Sequence, residues 1–130
     1  MIEFGPHLVR PSYHRDPWFA GSETSDRVYS WQCVSCQVDV HASLETILRE
    51  AWSWETHLGE ELATAATSHF ELNAVGKSHD GGWPSVLLVP CVSCGARYLL
   101  YAGVNEPSNS VYRVVIQGLS EVRGLTSACS

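Results

Sequence analysis

Basic charge is scarce in this chain. Its 130 residues carry 8 Lys and Arg against 14 Asp and Glu, a formal net charge of −6. A nucleic-acid ligand calls for a basic stripe to neutralise phosphates, and no such stripe is present, so DNA or RNA is not expected as a partner. Long apolar runs are missing too, and none approaches the roughly 20 residues that span a bilayer, so no membrane association is expected. The opening residues Met1-Ile2-Glu3-Phe4-Gly5-Pro6 place an acid where a secretory leader carries basic residues, and no apolar h-region follows. A signal peptide is therefore not expected, and a cytoplasmic location is. There is no glycine-rich phosphate loop, no nucleophile elbow and no His-Glu-x-x-His helix. An enzymatic reading is left with His57, Glu61, His79 and Asp80 as its candidates, and the expectation is that the chain is not an enzyme.

Disorder is excluded by composition. The hydrophobic fraction is 45 % and the charged fraction 17 %, with five Trp and five Tyr. That supports a modest core in a single domain, and the aromatic excess suits a binding surface as well as a core. The charge is unevenly spread. Residues 37–90 contain eight acids and two basic residues, so the whole acidic excess falls in this one stretch. Such a surface favours a basic protein partner.

The acidic stretch lies between two copies of Cys-Val-Ser-Cys, Cys33–Cys36 and Cys91–Cys94, separated by 54 residues. Two Cys-x-x-Cys turns supply the four soft ligands of one tetrahedral ion, and four thiolates favour zinc over the oxygen-seeking calcium and magnesium. A thioredoxin-like redox site would need a strand-to-helix junction, whereas strand residues follow both turns. Four cysteines also close the coordination shell, which points to a structural Zn²⁺ and away from a catalytic one. Glycine after the second cysteine suits a left-handed backbone. Gly95 provides it, and Gln37 stands in the equivalent place of the first turn. Cys129 is left over as a free thiol near the end of the sequence.

The pattern predicts an α+β fold in one zinc-stabilised domain, 1–130. Residues 1–26, with Pro6, Pro11 and Pro17, read as an extended N-terminal arm. Residues 27–41 hold the first knuckle, with strands at Arg27–Trp31 and Val38–Val40. Residues 42–85 form an insertion, with one long amphipathic helix from Leu44 to Phe70, capped by Ser43 and open to a break at Gly59. Its apolar stripe is Leu44, Ile47, Leu48, Ala51, Trp54, Leu58, Leu62 and Ala65. Glu55 falls at the edge of that stripe, where it is expected to reach water. His57 and Glu61, at i and i+4, are expected to be an exposed helix pair. A glycine-rich loop follows, with His79, Asp80 and Trp83. Residues 86–123 carry the second knuckle, with strands Val86–Val89, Tyr98–Tyr101 and Val111–Ile116 and turn residues from Gly103 to Ser110. Residues 124–130 read as a tail.

Two Cys-x-x-Cys turns flanked by strands, with Pro90 before the second, resemble a zinc ribbon over Arg27–His41 and Val86–Ile116. The resemblance implies an antiparallel sheet around Cys33, Cys36, Cys91 and Cys94 as ligands, with the helix inserted between the knuckles. In size and acidity the chain is also similar to small bacterial immunity proteins, which neutralise a cognate toxin by covering its active cleft. That likeness implies a toxin-inhibiting protein–protein interaction through an acidic surface, with Glu45, Glu60, Glu61, His79, Asp80 and Trp83 as partner-binding candidates. The alternative is a nucleic-acid- or transcription-associated ribbon using Arg97, Arg113 and Arg123.

Overall fold

The computed structural model describes residues 2–9, 18–21, 27–51, 53–72, 78, 82–108 and 111–124. The fold is α+β, mostly antiparallel sheet with a few short helices, and no sheet closes into a barrel. Its centre is three strands, β5 (Trp83–Pro90), β6 (Arg97–Ser108) and β7 (Val111–Arg123), paired antiparallel in sequence order. Residues 98–104 of β6 and 114–122 of β7 are all buried. Strands covered on both faces read as near-continuous apolar runs, as residues 98–102 of β6 do, whereas β7 buries Gln117, Ser120 and Glu121 as well.

Register assigns the faces. Val86, Tyr101 and Gly118 align across the three strands on one face, and Leu87, Leu100 and Leu119 on the other. Two strands from the N-terminal region complete the sheet. β1 (Glu3–Val9) pairs with the C-terminal half of β7, and β2 (Trp18–Gly21) with its N-terminal half. Pro6 cannot donate to a ladder, and the β1 register slips across it, between Phe4 and His7, and again between His7 and Val9.

A second, two-stranded sheet pairs β3 (Val28–Gln32) with β4 (Asp39–Ser43). With α1 (Leu44–Glu50) it covers the Leu87–Leu100–Leu119 face, burying Val40, Ala42, Leu44, Ile47 and Leu48 there. The opposite face is covered by α2 (Trp54–Leu58) and α3 (Glu60–His69), through Trp54, Leu62, Ala63, Ala66 and Phe70.

The expected single long helix is therefore three short ones. Ser43 caps α1 as expected, its Oγ accepting from the Thr46 N–H at 3.2 Å. The helix then stops at Ala51, ahead of the turn that leads into α2. The second break is Gly59, whose φ of 87° ends α2 and starts α3. A straight helix would have kept its whole apolar stripe on one side of the sheet. Two breaks let the chain pass the β5 edge, so α1 packs on one face and α3 on the other. The Ser85 hydroxyl, fully buried in β5, donates to the Ile47 carbonyl at 2.6 Å and ties α1 to that edge. The α3 stripe also turns, burying Ala63 and Ala66 while Ala65 is half-buried.

The last hairpin is longer than expected. β6 continues through Asn105 to Ser108, with a register shift there, and β7 runs on past Ile116 to Arg123. Among the described residues no helix is long and apolar enough to cross a membrane.

Candidate metal centre

Both Cys-Val-Ser-Cys segments close hairpins, and they do so in the same way. Gln32 pairs with Asp39 at the first turn, and Pro90 pairs with Arg97 at the second. Each turn then repeats two backbone hydrogen bonds. The Cys33 N–H donates to the Val38 carbonyl at 2.9 Å and the Gln37 N–H to the Cys33 carbonyl at 3.0 Å. Their counterparts are Cys91 to Ala96 at 2.7 Å and Gly95 to Cys91 at 2.9 Å. The geometry demands a left-handed residue after the second cysteine. Gly95 supplies it at φ 80°, and Gln37 adopts it at φ 68° despite its side chain.

The two knuckles come from different sheets and face each other. All four sulfurs lie within 4.8 Å of one another. Cys33 Sγ is 3.6 Å from Cys94 Sγ, and Cys36 Sγ is 3.6 Å from Cys91 Sγ. A tetrahedron with metal–sulfur bonds of about 2.3 Å has edges of about 3.8 Å, so the cluster is near the spacing that a four-thiolate ion site needs. No disulfide forms among them; all four are free cysteines.

Electrostatics explain why the cluster would suit a cation. The Tyr98 hydroxyl, 3.4 Å from Cys33 Sγ, donates to it and is the main reason that thiol is held down to about 6, aided by nearby backbone N–H groups against the effect of burial. The Cys94 N–H, foremost, also draws Cys91 down. Cys94 is shifted the other way. The Ala96 N–H pulls it down, but the surrounding sulfurs, Cys33 first, outweigh that and raise it to about 12. Four thiolates this close cannot all form unless a positive ion sits among them, and such an ion inverts the repulsion.

Tyr98 is a residue that sequence reading missed as part of the site. It is fully buried, and its phenol reaches the first knuckle from β6. The Val34 N–H donates to its oxygen at 2.8 Å while the hydroxyl donates to Cys33. Burial, and then the thiolate beside it, push the phenol up to about 12, so it stays a donor. Trp31 meets its ring edge-on at 5.6 Å. The only sequence signal was its position four residues after Cys94, which is too common for a tyrosine to single it out.

The other candidates are dispersed. Glu45 opens α1 and is paired with Arg49 at 2.8 Å. Glu60 and Glu61 are exposed in the first turn of α3, on the other side of the sheet from α1. His57 does not pair with Glu61; its Nδ1 lies 2.5 Å from the Glu50 carboxylate. The break at Ala51–Ser53 folds α2 back towards the end of α1 and produces that contact. Glu55 is exposed, as expected of a stripe edge. Trp83 opens β5 with its ring half in solvent. His79, Asp80 and Cys129 lie outside the described residues. Arg97 and Arg123 line one cleft beside Cys94, whereas Arg113 stands ten positions back along β7, opposite Asn105.

A second polar cluster lies on the α3 face. The His69 ring stacks on Phe4 at 3.9 Å and on His7 at 4.2 Å, and its Nε2 is 2.8 Å from the buried Ser120 hydroxyl. Burial foremost, with help from His7, lowers His69 from an ordinary 6.5 to about 4. A histidine depressed in the fold contributes nothing above the unfolded value and destabilises as pH falls from about 6.5 towards 4, because the unfolded chain then binds the proton better. Allowing for partial solvent exposure, we expect stability to drop by about 1 kcal/mol between pH 7.5 and 5.5 on this account. Urea unfolding of the wild type and of His69→Phe at both pH values checks it. An equal drop in both proteins would assign the effect elsewhere.

Compared with protein-family models, curated proteins and solved structures, the chain matches none.

Proposed function

We propose that this chain is a non-enzymatic protein-binding module of zinc-ribbon type, built on a structural Zn²⁺ held by Cys33, Cys36, Cys91 and Cys94. We further propose that it is an immunity-type protein that blocks a basic toxin. The observation that carries the first part is the convergence of four sulfurs from two equivalent knuckles within 4.8 Å. Soft thiolates select zinc, and a shell of four leaves no position for substrate.

The second part rests on charge. The acidic stretch between the knuckles is the chain's net-charge reservoir. It wraps the β5 edge, so Glu45 presents on one flank and Glu60 and Glu61 on the other. A partner engaging both flanks would straddle that edge, with Trp83 at its start. Complementary charge of this kind speeds association and is screened by salt.

The test is capture from the native host with zinc-loaded protein as bait, beside the Glu45→Lys/Glu60→Lys/Glu61→Lys variant. A basic protein held by the wild type, released by about 0.5 M salt and lost from the variant is the expected result. A partner that binds both baits equally at low salt would refute the acidic interface.

A further inference from the structure

We propose that Cys94 is a peroxide-reactive modification site, at which oxidation links Cys94 to Cys33 and releases the metal. The inference rests on the zinc reading above and extends it.

The four sulfurs are not equally sheltered. Cys33 and Cys91 are buried, at 0 % and 2 % exposure, and Cys36 is half-buried. Cys94 is exposed, and it forms part of the wall of an open cleft of about 480 Å³. That cleft runs between Ser35 of the first knuckle and the end of β7, with Arg97, Glu121 and Arg123 along it. A hydroperoxide is far smaller than this space. The centre therefore has an approach that ends on a ligand sulfur.

The cleft also carries suitable chemistry. Arg123 is occupied by Glu121 at 2.9 Å. Arg97 has no ion pair among the described residues, and its guanidinium is available to hydrogen-bond a departing hydroxide. Thiolates, not thiols, are the nucleophiles in such steps, and metal binding keeps sulfur in the thiolate form.

The steps balance without another reagent. The Cys94 thiolate attacks hydrogen peroxide, a sulfur–oxygen bond forms, the oxygen–oxygen bond breaks, and hydroxide leaves. Cys94 is then a sulfenic acid. The Cys33 thiolate, whose sulfur lies 3.6 Å away, attacks the Cys94 sulfur. A disulfide forms, the sulfur–oxygen bond breaks, and a second hydroxide leaves. Two thiolates have lost two electrons in all, and the peroxide has gained them. Cys36 and Cys91 alone do not hold the ion, which departs as Zn²⁺. The new bond joins β3–β4 to the main sheet where the metal did, so reduction and zinc can restore the starting state.

The experiment uses the zinc-loaded protein, its metal content measured beforehand. Limited iodoacetamide should label Cys94 about ten-fold faster than Cys33 or Cys91, and ahead of Cys36. Hydrogen peroxide should release one zinc per disulfide, read with a chromogenic chelator, and non-reducing peptide mapping should find Cys33–Cys94 first. Ser35→Leu narrows the cleft with a side chain that is not itself a ligand, and, in protein whose zinc content is first measured to equal the wild type's, should slow both reactions several-fold. A first disulfide of any other pairing, first labelling at Cys36, or a Ser35→Leu protein as reactive as the wild type would overturn the proposal. Purified, reduced protein that binds no zinc would instead overturn the metal centre on which it rests.

Discussion

Removing the metal with a strong chelator is expected to detach the β3–β4 hairpin and to lower stability by more than any single core substitution. Structural zinc in small domains contributes on the order of 10 kcal/mol, comparable with the whole stability of a domain this size. The geometry makes the dependence plain. A lone two-stranded hairpin is marginal in water, and β3 alternates between exposed and half-buried positions. What keeps it in place is the four-sulfur junction, together with Val40 and Ala42 beneath it. Near-ultraviolet circular dichroism and Trp31 fluorescence should change on chelation, and the urea midpoint should fall sharply. Cys33→Ser should reproduce most of the loss, since it removes the sulfur that Tyr98 holds. Superimposable unfolding curves with and without chelator would rule out a structural role for the metal.

Phe70→Ala is expected to cost about 3–5 kcal/mol, the usual penalty for deleting a fully buried aromatic ring. Phe70 follows the last residue of α3 and is completely buried. Its ring packs on Tyr101 at 5.5 Å, on Phe4 at 6.5 Å and beside His69. It is where helix, main sheet and first strand meet. Gly118 exists to admit it: a Cβ there would lie 2.7 Å from the Phe70 ring and 3.3 Å from Tyr101. Gly118→Ala alone should therefore destabilise through overpacking. In the Phe70→Ala background the main clash is gone, and the same alanine should cost far less. Thermal unfolding of the four proteins in this cycle measures the coupling, and simple additivity would refute the account.

How much of this could be read from residues alone depends on whether the deciding interactions are local. The knuckles are local. Cys-Val-Ser-Cys dictates a tight turn, and the strands on either side follow from β-rich residues such as Val86–Val89 and Tyr98–Tyr101. Ser43 as an N-cap is equally local, because its partner is three residues away. The helical stretch shows the limit. Its apolar spacing fits a straight rod, and each segment is helical. Yet the breaks at Ala51–Ser53 and Gly59 are favoured because the chain must cover both faces of a sheet made by distant residues. β7 was legible only to Ile116, since Gln117, Gly118, Ser120 and Glu121 do not look like a strand. Two of them are explained by a distant neighbour: Phe70 for Gly118 and His69 for Ser120.

The arm makes the same point. Prolines and weak periodicity in residues 1–26 pointed to an extended segment, and extension is what β1 and β2 require. Their attachment to β7 could not be foreseen, because such strands take their hydrogen bonds from a partner near the other end of the sequence.

The repeated Cys-Val-Ser-Cys and the acid-rich stretch between its copies are properties of the sequence by itself. They determined the four candidate ligands, the two turns and the sign of the net charge. The tertiary structure decided that the two turns face each other, that Tyr98 serves them, that one sulfur opens onto a cleft, and that the acids divide between two flanks. The physical reason is range. Turn geometry and ligand type act within a few residues, whereas burial, sulfur spacing and charge grouping depend on which distant strands pack together.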